Sequence, residues 1–211
     1  MYTPGHFAID DPAHLHALMQ AHPFATVVVH GPDGLDANHL PLLLRGEAGG
    51  ERLAGHVARA NPLWRDHDGA PVLCIFHGPA HYISPSAYPS KRAHGKAVPT
   101  WNYAVVHARG TLRAVDERDW LHTLVRELTD THEAAQPAPW RVSDAPDDYI
   151  ERMLGAIVGI EIEVTGLSGK WKVSQNQPAA NRAGVVTALA AGNEAARQIA
   201  ALVRDFSKER P

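Results

Sequence analysis

What most limits the fold of this chain is a repeated succession of short apolar runs broken by tight-turn residues. Phe24–His30 (FATVVVH) is followed by GPDG at 31–34, a returning run Leu35–Leu44, GEAGG at 46–50 and a third run, Arg52–Val57. Runs of this length, rich in β-branched residues and separated by Gly, Pro and Asp, predict antiparallel strands joined by hairpins. In the returning run Asn38, Leu40, Leu42 and Leu44 share one face, with His39 and Leu43 on the other. Pro41 removes a ladder donor there, so it is expected at an edge or a bulge. Ala70–His77 carries a continuous apolar core, and Trp101–Val115 reads as a long strand with Gly110 at a bulge or bend. Ile160, Ile162 and Val164 alternate with Glu161, Glu163 and Thr165, and this strand is expected to run on through 166–177. The total is about six or seven strands.

Helical spacing is inserted among these strands rather than alternating with them. Asp11–Pro12 has the form of a cap and first helical position, before Leu15, Leu18 and Met19 on one face. Asp116 is placed to cap a helix carrying Trp120, Leu121, Leu124, Val125 and Leu128. Asp147 opens another, with Tyr149, Ile150, Met153, Leu154 and Ile157 on its expected buried face. Beyond Pro178, Val185, Val186 and Leu189 form one stripe, and Ile199, Leu202, Val203 and Phe206 form a second after Gly192. The pattern predicts a mainly β protein, an antiparallel barrel with peripheral helices, over a doubly wound sheet. The expected division is residues 1–177 as the barrel domain. Residues 178–211 then form a C-terminal helical extension, packed on that domain or on a partner subunit.

Composition excludes several classes. No apolar run reaches the roughly 18 residues of a membrane span. The N-terminus MYTPGHFAIDDP lacks the basic and apolar regions of a signal peptide, so a cytoplasmic protein is expected. Cys74 is the only cysteine and sits among Val72, Leu73, Ile75 and Phe76, which reads as a buried thiol. A net charge of −3 without a basic block argues against tight, direct DNA binding. The two C-terminal helices resemble a helix-turn-helix only superficially, since acidic and basic residues are mixed along the second. His14/His16 and His77/His81 lack the spacing of a metal site, so no metal is assigned. Nucleophile elbows, Walker A loops and dinucleotide fingerprints are all missing from the sequence.

One stretch carries chemistry. His81–Tyr103 (HYISPSAYPSKRAHGKAVPTWNY) is punctuated by Pro85, Pro89, Gly95 and Pro99, which predicts a long structured loop rather than a helix. Tyr82, Tyr88, Trp101 and Tyr103 give it flat apolar faces, and Lys91, Arg92, His94 and Lys96 give it positive charge. A planar anionic ligand suits such a surface, and a structured lid or dimer contact is the plainer alternative. Flavin mononucleotide (FMN) needs cations and N–H donors for its phosphate and aromatic or apolar walls for its ring. Asn61–Pro62 reads as a helix start directly after a strand, with His56 and Arg59 beside it, a geometry suited to an anion, with a simply well-capped helix as the plainer alternative. Trp101 and Tyr103 are candidates to wall the ring, Thr100 and Asn102 to meet its polar edge, and Lys170 and Lys172 flank Trp171 as a second cationic group.

Four motifs taken together resemble the PaiB family, described as FMN-binding negative transcriptional regulators. They are MYTPGHF at the start, GHVARANP at 55–62, YISPSAYPSKRAHGKAVPTWNYAVVHARG at 82–110 and GKWKVSQNQPAANRAGV at 169–185. The resemblance implies an FMN-binding split β-barrel and a homodimer with flavin at the subunit interface. It places the phosphate on the third strand and the residues after it, here His56, Val57, Ala58, Arg59 and Asn61, with His39 as a further candidate. It brings Pro99, Thr100, Trp101, Asn102 and Tyr103 from the other protomer. It also implies an arginine after Ser-Gln-Asn, where this chain has Gln177, leaving Lys170 as a substitute cation. The function implied is a flavoprotein acting as a negative transcriptional regulator. The alternatives are a flavin-dependent oxidoreductase of unknown substrate, with no catalytic residue assigned, and a cofactor-free dimeric interaction module.

Overall fold

A computed structural model describes residues 1–209, with side chains as far as Phe206. In chain order the strands are β1 (Ala8–Ile9), β2 (Phe24–Gly31), β3 (Gly34–Pro41), β4 (Leu43–Arg45), β5 (Arg52–Ala58), β6 (Pro71–Ile83), β7 (Thr100–Val115) and β8 (Ile157–Lys172). The helices are α1 (Pro12–Ala21), α2 (Leu63–Asp66), α3 (Pro89–His94), α4 (Arg118–Glu133), α5 (Asp147–Gly155), α6 (Ala179–Leu189) and α7 (Glu194–Glu209). The strands follow the order β3-β2-β6-β7-β8-β5-β4, with β1 paired to β8. This is the mainly antiparallel split-barrel architecture that the hairpin pattern and the resemblance imply.

The chain divides into two compact units, through both of which β6, β7 and β8 pass. One comprises Met1–Ala21, His77–His107 and the chain from Ser168 onward; the other comprises His22–Phe76 and Ala108–Leu167. In the second unit β2 and β3 pair in register from Phe24 opposite Pro41 to Gly31 opposite Gly34, so the GPDG turn closes a regular hairpin. Ala25, Val27 and Val29 point inward from β2, and Leu53, Ile160, Ile162, Leu121 and Leu124 are buried in the same unit. Each fully buried Leu or Ile contributes about 1.5–3 kcal/mol of transfer free energy, so these alternating positions hold the strands in register. In the first unit, Met19, Ile83, Trp171, Val185, Ile199 and Val203 are buried. The apolar stripes of α6 and α7 are therefore spent on packing within the unit.

Several local expectations are corrected. The run Leu35–Leu44 is broken after Pro41: the Leu42 N–H donates to the Pro23 carbonyl at 2.9 Å, and β4 pairs instead with β5. Pro41 thus ends a strand at the edge of the sheet rather than interrupting one. Gly110 lies within continuous β7; a Cβ there would run into the Glu163 carbonyl oxygen, so close backbone approach rather than a bend requires glycine. Asp116 does not cap α4, whose cap residue is Glu117. On α5 only Leu154 is buried, while Tyr149 and Met153 are exposed and Ile157 belongs to β8. That strand ends at Lys172 and gives way to a turn over 173–177.

The stretch after Ile83 is likewise more ordered than the composition predicts. Ser84 accepts from the Ser86 N–H at the head of a 3-10 turn, Pro85–Ala87. Pro89 then occupies the first position of α3, where its fixed φ and missing N–H cost nothing, and Gly95 ends the helix. Proline here starts a helix rather than excluding one. Gly184 of α6 lies against this segment so closely that a Cβ would strike the Ala87 carbonyl oxygen.

Candidate functional site

Strand pleating sorts the residues proposed for the flavin. Along β7, Trp101 is exposed, Asn102 buried, Tyr103 half-buried and Ala104 buried, as alternate sides of a strand require. Trp101 and Tyr103 therefore share one face, and Asn102 points to the other. On the outer face the Trp101 ring meets Tyr82 of β6 edge-on, with centroids 6.1 Å apart and planes at 71°. Trp101 is 56% exposed and Tyr82 44%. Lys170 of β8 holds its ammonium 5.5 Å from the Tyr103 ring centroid and 5.9 Å from that of Tyr2, and donates to the Tyr2 carbonyl at 3.0 Å. Three adjoining strands thus display aromatic rings and one cation together. Pro99, Thr100 and Asn102 instead line a separate small cavity in the same unit.

The remaining candidates lie in the other unit. There β5 runs into a turn and the single helical turn of α2. The Asn61 side chain caps it, its Oδ1 accepting from the Leu63 N–H at 2.9 Å while Nδ2 donates to Asn38 Oδ1 at 2.8 Å. The capping chemistry read from Asn61–Pro62 is real, but α2 spans only Leu63–Asp66, so little helix dipole stands behind it. Arg59 is committed within the chain. Its Nη1 and Nη2 grip the Asp116 carboxylate at 2.9 and 2.5 Å, Nη2 also donates to the Ile157 carbonyl at 3.0 Å, and Nε donates to that of Gly155 at 2.8 Å. The pairing pushes the Asp116 carboxyl below its ordinary value and the guanidinium above its own. The Trp64 indole N–H donates to the Arg59 carbonyl at 3.0 Å, and the Arg59 and Asn61 N–H groups donate to the carbonyls of Ala156 and Ala58.

His56 is half-buried, and burial pushes its imidazole below the ordinary value, favouring the neutral form. His39 faces outward on β3, near-parallel to Phe24 at 6.4 Å, with Nδ1 3.2 Å from Thr26 Oγ1. Val57 is a core residue paired opposite Val158, and Ala58 is exposed opposite Ile157. The turn therefore brings His56, Arg59 and Asn61 into one well-braced segment, in which the Arg59 guanidinium and the Arg59 and Asn61 N–H groups already serve the chain.

A flavin fits the first of these arrangements on the chemistry of its side chains. Its ring requires flat apolar contacts, which Trp101, Tyr103 and Tyr82 supply, and an anionic group requires a cation, which Lys170 supplies. Sequence reasoning singled out the aromatic pair and Lys170. It missed the opposite orientation of Asn102, which the period-two alternation through Trp101–Ala104 already encodes, and the engagement of Asp116 with Arg59, which no local pattern announces.

Comparison with known proteins agrees with this architecture. Residues 1–166 match the family described as "Putative FMN-binding domain". Over 211 residues the chain is 31% identical to Protease synthase and sporulation protein PAI 2 of Bacillus subtilis, covering 99% of each. It is 33% identical over 205 residues to an uncharacterized protein of Emericella nidulans, covering 81% of this chain and 82% of that one. Among solved structures, the flavocytochrome Anf3 from Azotobacter vinelandii superposes with a TM-score of 0.57 at 12% identity, covering 79% of this chain and 69% of that one. The FAD and heme binding protein from Mycobacterium smegmatis gives 0.54 at 18%, covering 78% and 72%. The fold is thus the split barrel found in those flavoproteins. The chain belongs to the PaiB family of FMN-binding split-barrel proteins. FMN, or a closely related flavin, is the cofactor the family match supports. Among the described residues no helix is long and apolar enough to cross a membrane.

Proposed function

We propose that this protein is a homodimeric FMN-binding regulator that lowers transcription without reading DNA itself. The flavin ring lies against the Trp101–Tyr103 face, and Lys170 answers its negative charge. The observation that carries the reading is the outward aromatic face itself. Trp101 remains more than half exposed although it costs solubility to leave such a ring in water, and Lys170 stands within cation–π distance of the adjacent Tyr103. Arg59 is assigned a bracing role, because its guanidinium is engaged with Asp116 and two carbonyls. His56 and Asn61 shape the segment to which the resemblance assigns the phosphate.

Two features support regulation through a flavin or partner rather than through a DNA-reading helix. The net charge is −3, and the α6 and α7 stripes (Val185, Leu189, Ile199, Val203) are buried in packing. The regulatory name belongs to the family, and the relative from Bacillus subtilis bears a name in protease synthesis and sporulation. The test is a transcript comparison between cells carrying the wild-type gene, a deletion and Trp101→Ala, with the purified protein sized by sedimentation. The expected result is a dimer, transcripts raised in the deletion, and Trp101→Ala failing to restore repression. An unchanged transcript profile in the deletion refutes the regulatory reading, and a monomer refutes the dimer.

A further inference from the structure

The face of β7 opposite the aromatic pair opens onto a cavity of about 180 Å³, lined among others by Tyr88, Thr100, Asn102, Lys172, Ser174 and Gln177. Asn102 is 1% exposed, and its Nδ2 donates to Ser174 Oγ at 2.9 Å. Its Oδ1 has no hydrogen-bond partner among the described residues. Turning the amide over would exchange which atom is orphaned without removing the deficit. A buried amide in this condition is destabilising unless something else meets it. The same lining carries one fixed positive charge, Lys172, whose ammonium donates to Thr100 Oγ1, and no carboxylate.

The site is held rigid. Ser174 sits at φ 66°, in the left-handed region that residues other than glycine and asparagine adopt at a cost, and its Oγ accepts from Asn102 Nδ2. Gln175 pins the turn on both sides, its Oε1 accepting from the Val173 N–H at 2.7 Å and its Nε2 donating to the Trp171 carbonyl at 2.6 Å. Gln177 Oε1 accepts from Asn181 Nδ2 at 3.0 Å, and the Gln177 carbonyl accepts from Arg182 Nη1 at 2.9 Å. Strain held by such bracing is characteristic of a pre-formed ligand site.

Size and charge then select the ligand. Pockets for drug-sized molecules begin near about 300 Å³, so a flavin ring is excluded; at about 30 Å³ per water the cavity holds roughly six waters or a molecule of similar bulk. We propose that it is a binding site for a small 2-hydroxycarboxylate, with the carboxylate on Lys172 and the hydroxyl on the orphaned Asn102 amide. A hydroxyl satisfies that amide in either orientation, because it both donates and accepts. The site does not rest on the flavin reading, since the cavity is too small for a flavin ring.

The experiment is calorimetric and NMR titration of the full-length protein with L-lactate, acetate and lactamide, in the presence and absence of FMN. L-Lactate is expected to bind saturably in the millimolar range or tighter, acetate about tenfold more weakly, and lactamide not at all. FMN should leave the lactate affinity unchanged. Lys172→Met should weaken lactate at least tenfold at an unaltered far-ultraviolet spectrum. If that variant does not fold, the lactate–lactamide comparison on the wild type decides alone. Absence of saturable lactate binding, equal binding of lactamide, or competition by FMN overturns the assignment.

Discussion

Trp101→Ala gives the sharpest separation between binding and stability. A tryptophan side chain offers up to about 250 Å² of contact surface, and with the residue 56% exposed about 140 Å² of that is open to a ligand. A ring covering half of it removes about 70 Å² from water, worth about 1.8 kcal/mol at about 25 cal/mol per Å². Offset or edge-on aromatic geometry adds about 0.5–1.5 kcal/mol. Losing about 2.3–3.3 kcal/mol raises the FMN Kd by roughly 50- to 250-fold. The cost to folding is much smaller, because the exposed part of the ring packs on nothing within the chain, and the ring contact given up is the edge-on one with Tyr82. Flavin titration of wild type and variant, with thermal melts of both, measures the two quantities independently. A Kd within threefold of wild type refutes the aromatic-face reasoning. A collapse of the melting temperature alongside lost binding refutes the claim that the ring is free for a ligand.

Three further outcomes follow from the same geometry. Burial pushes His22 and His56 below the ordinary imidazole value, so the unfolded chain takes up protons before the folded one. That contribution to stability is complete above about pH 6.5 and shrinks as pH falls through the depressed folded values; melting temperatures between pH 7 and pH 5 should fall, and less steeply in His56→Gln, whereas a rise on acidification contradicts the burial argument. Arg59→Ala should lower the melting temperature, because it strips partners from Asp116 and the Gly155 and Ile157 carbonyls, while changing FMN affinity no more than a few-fold; lost flavin at an unchanged melt would falsify the bracing role. Cys74 is buried and its thiol is pushed up to about 12, so a thiol-reactive chromophore at pH 8 should label it only in denaturant, and rapid labelling of the native protein contradicts its place in the core.

Hairpin succession was legible because strand, turn and returning strand are local in sequence. FATVVVH–GPDG–LDANHLP pairs residue for residue as its alternation requires. The Asn61 cap was legible for the same reason. What the sequence concealed was non-local. Asp116 reads as a helix cap until Arg59, distant in sequence, takes both its oxygens. Tyr149 and Met153 have helical spacing with Leu154, yet only Leu154 meets a packed neighbour surface, since periodicity shows a stripe without showing what covers it. Proline misled in the 85–95 stretch because the residue that breaks a helix interior also favours its first position, and only the neighbouring chain distinguishes the two. The aromatic residues and the cation of the outer face were legible as a set of types, but the cavity around Asn102 was not, because Lys172 and Ser174 reach it from a distant strand end.

Titration of the purified protein with FMN, read by flavin fluorescence, tests whether this chain holds a flavin against Trp101. Stacking on an indole quenches that emission, so saturable quenching at one FMN per chain is expected, with the quench largely lost in Trp101→Phe although some affinity remains. Saturable binding with no quenching places the ring away from Trp101, and no saturable change at any accessible concentration contradicts flavin binding by this chain altogether.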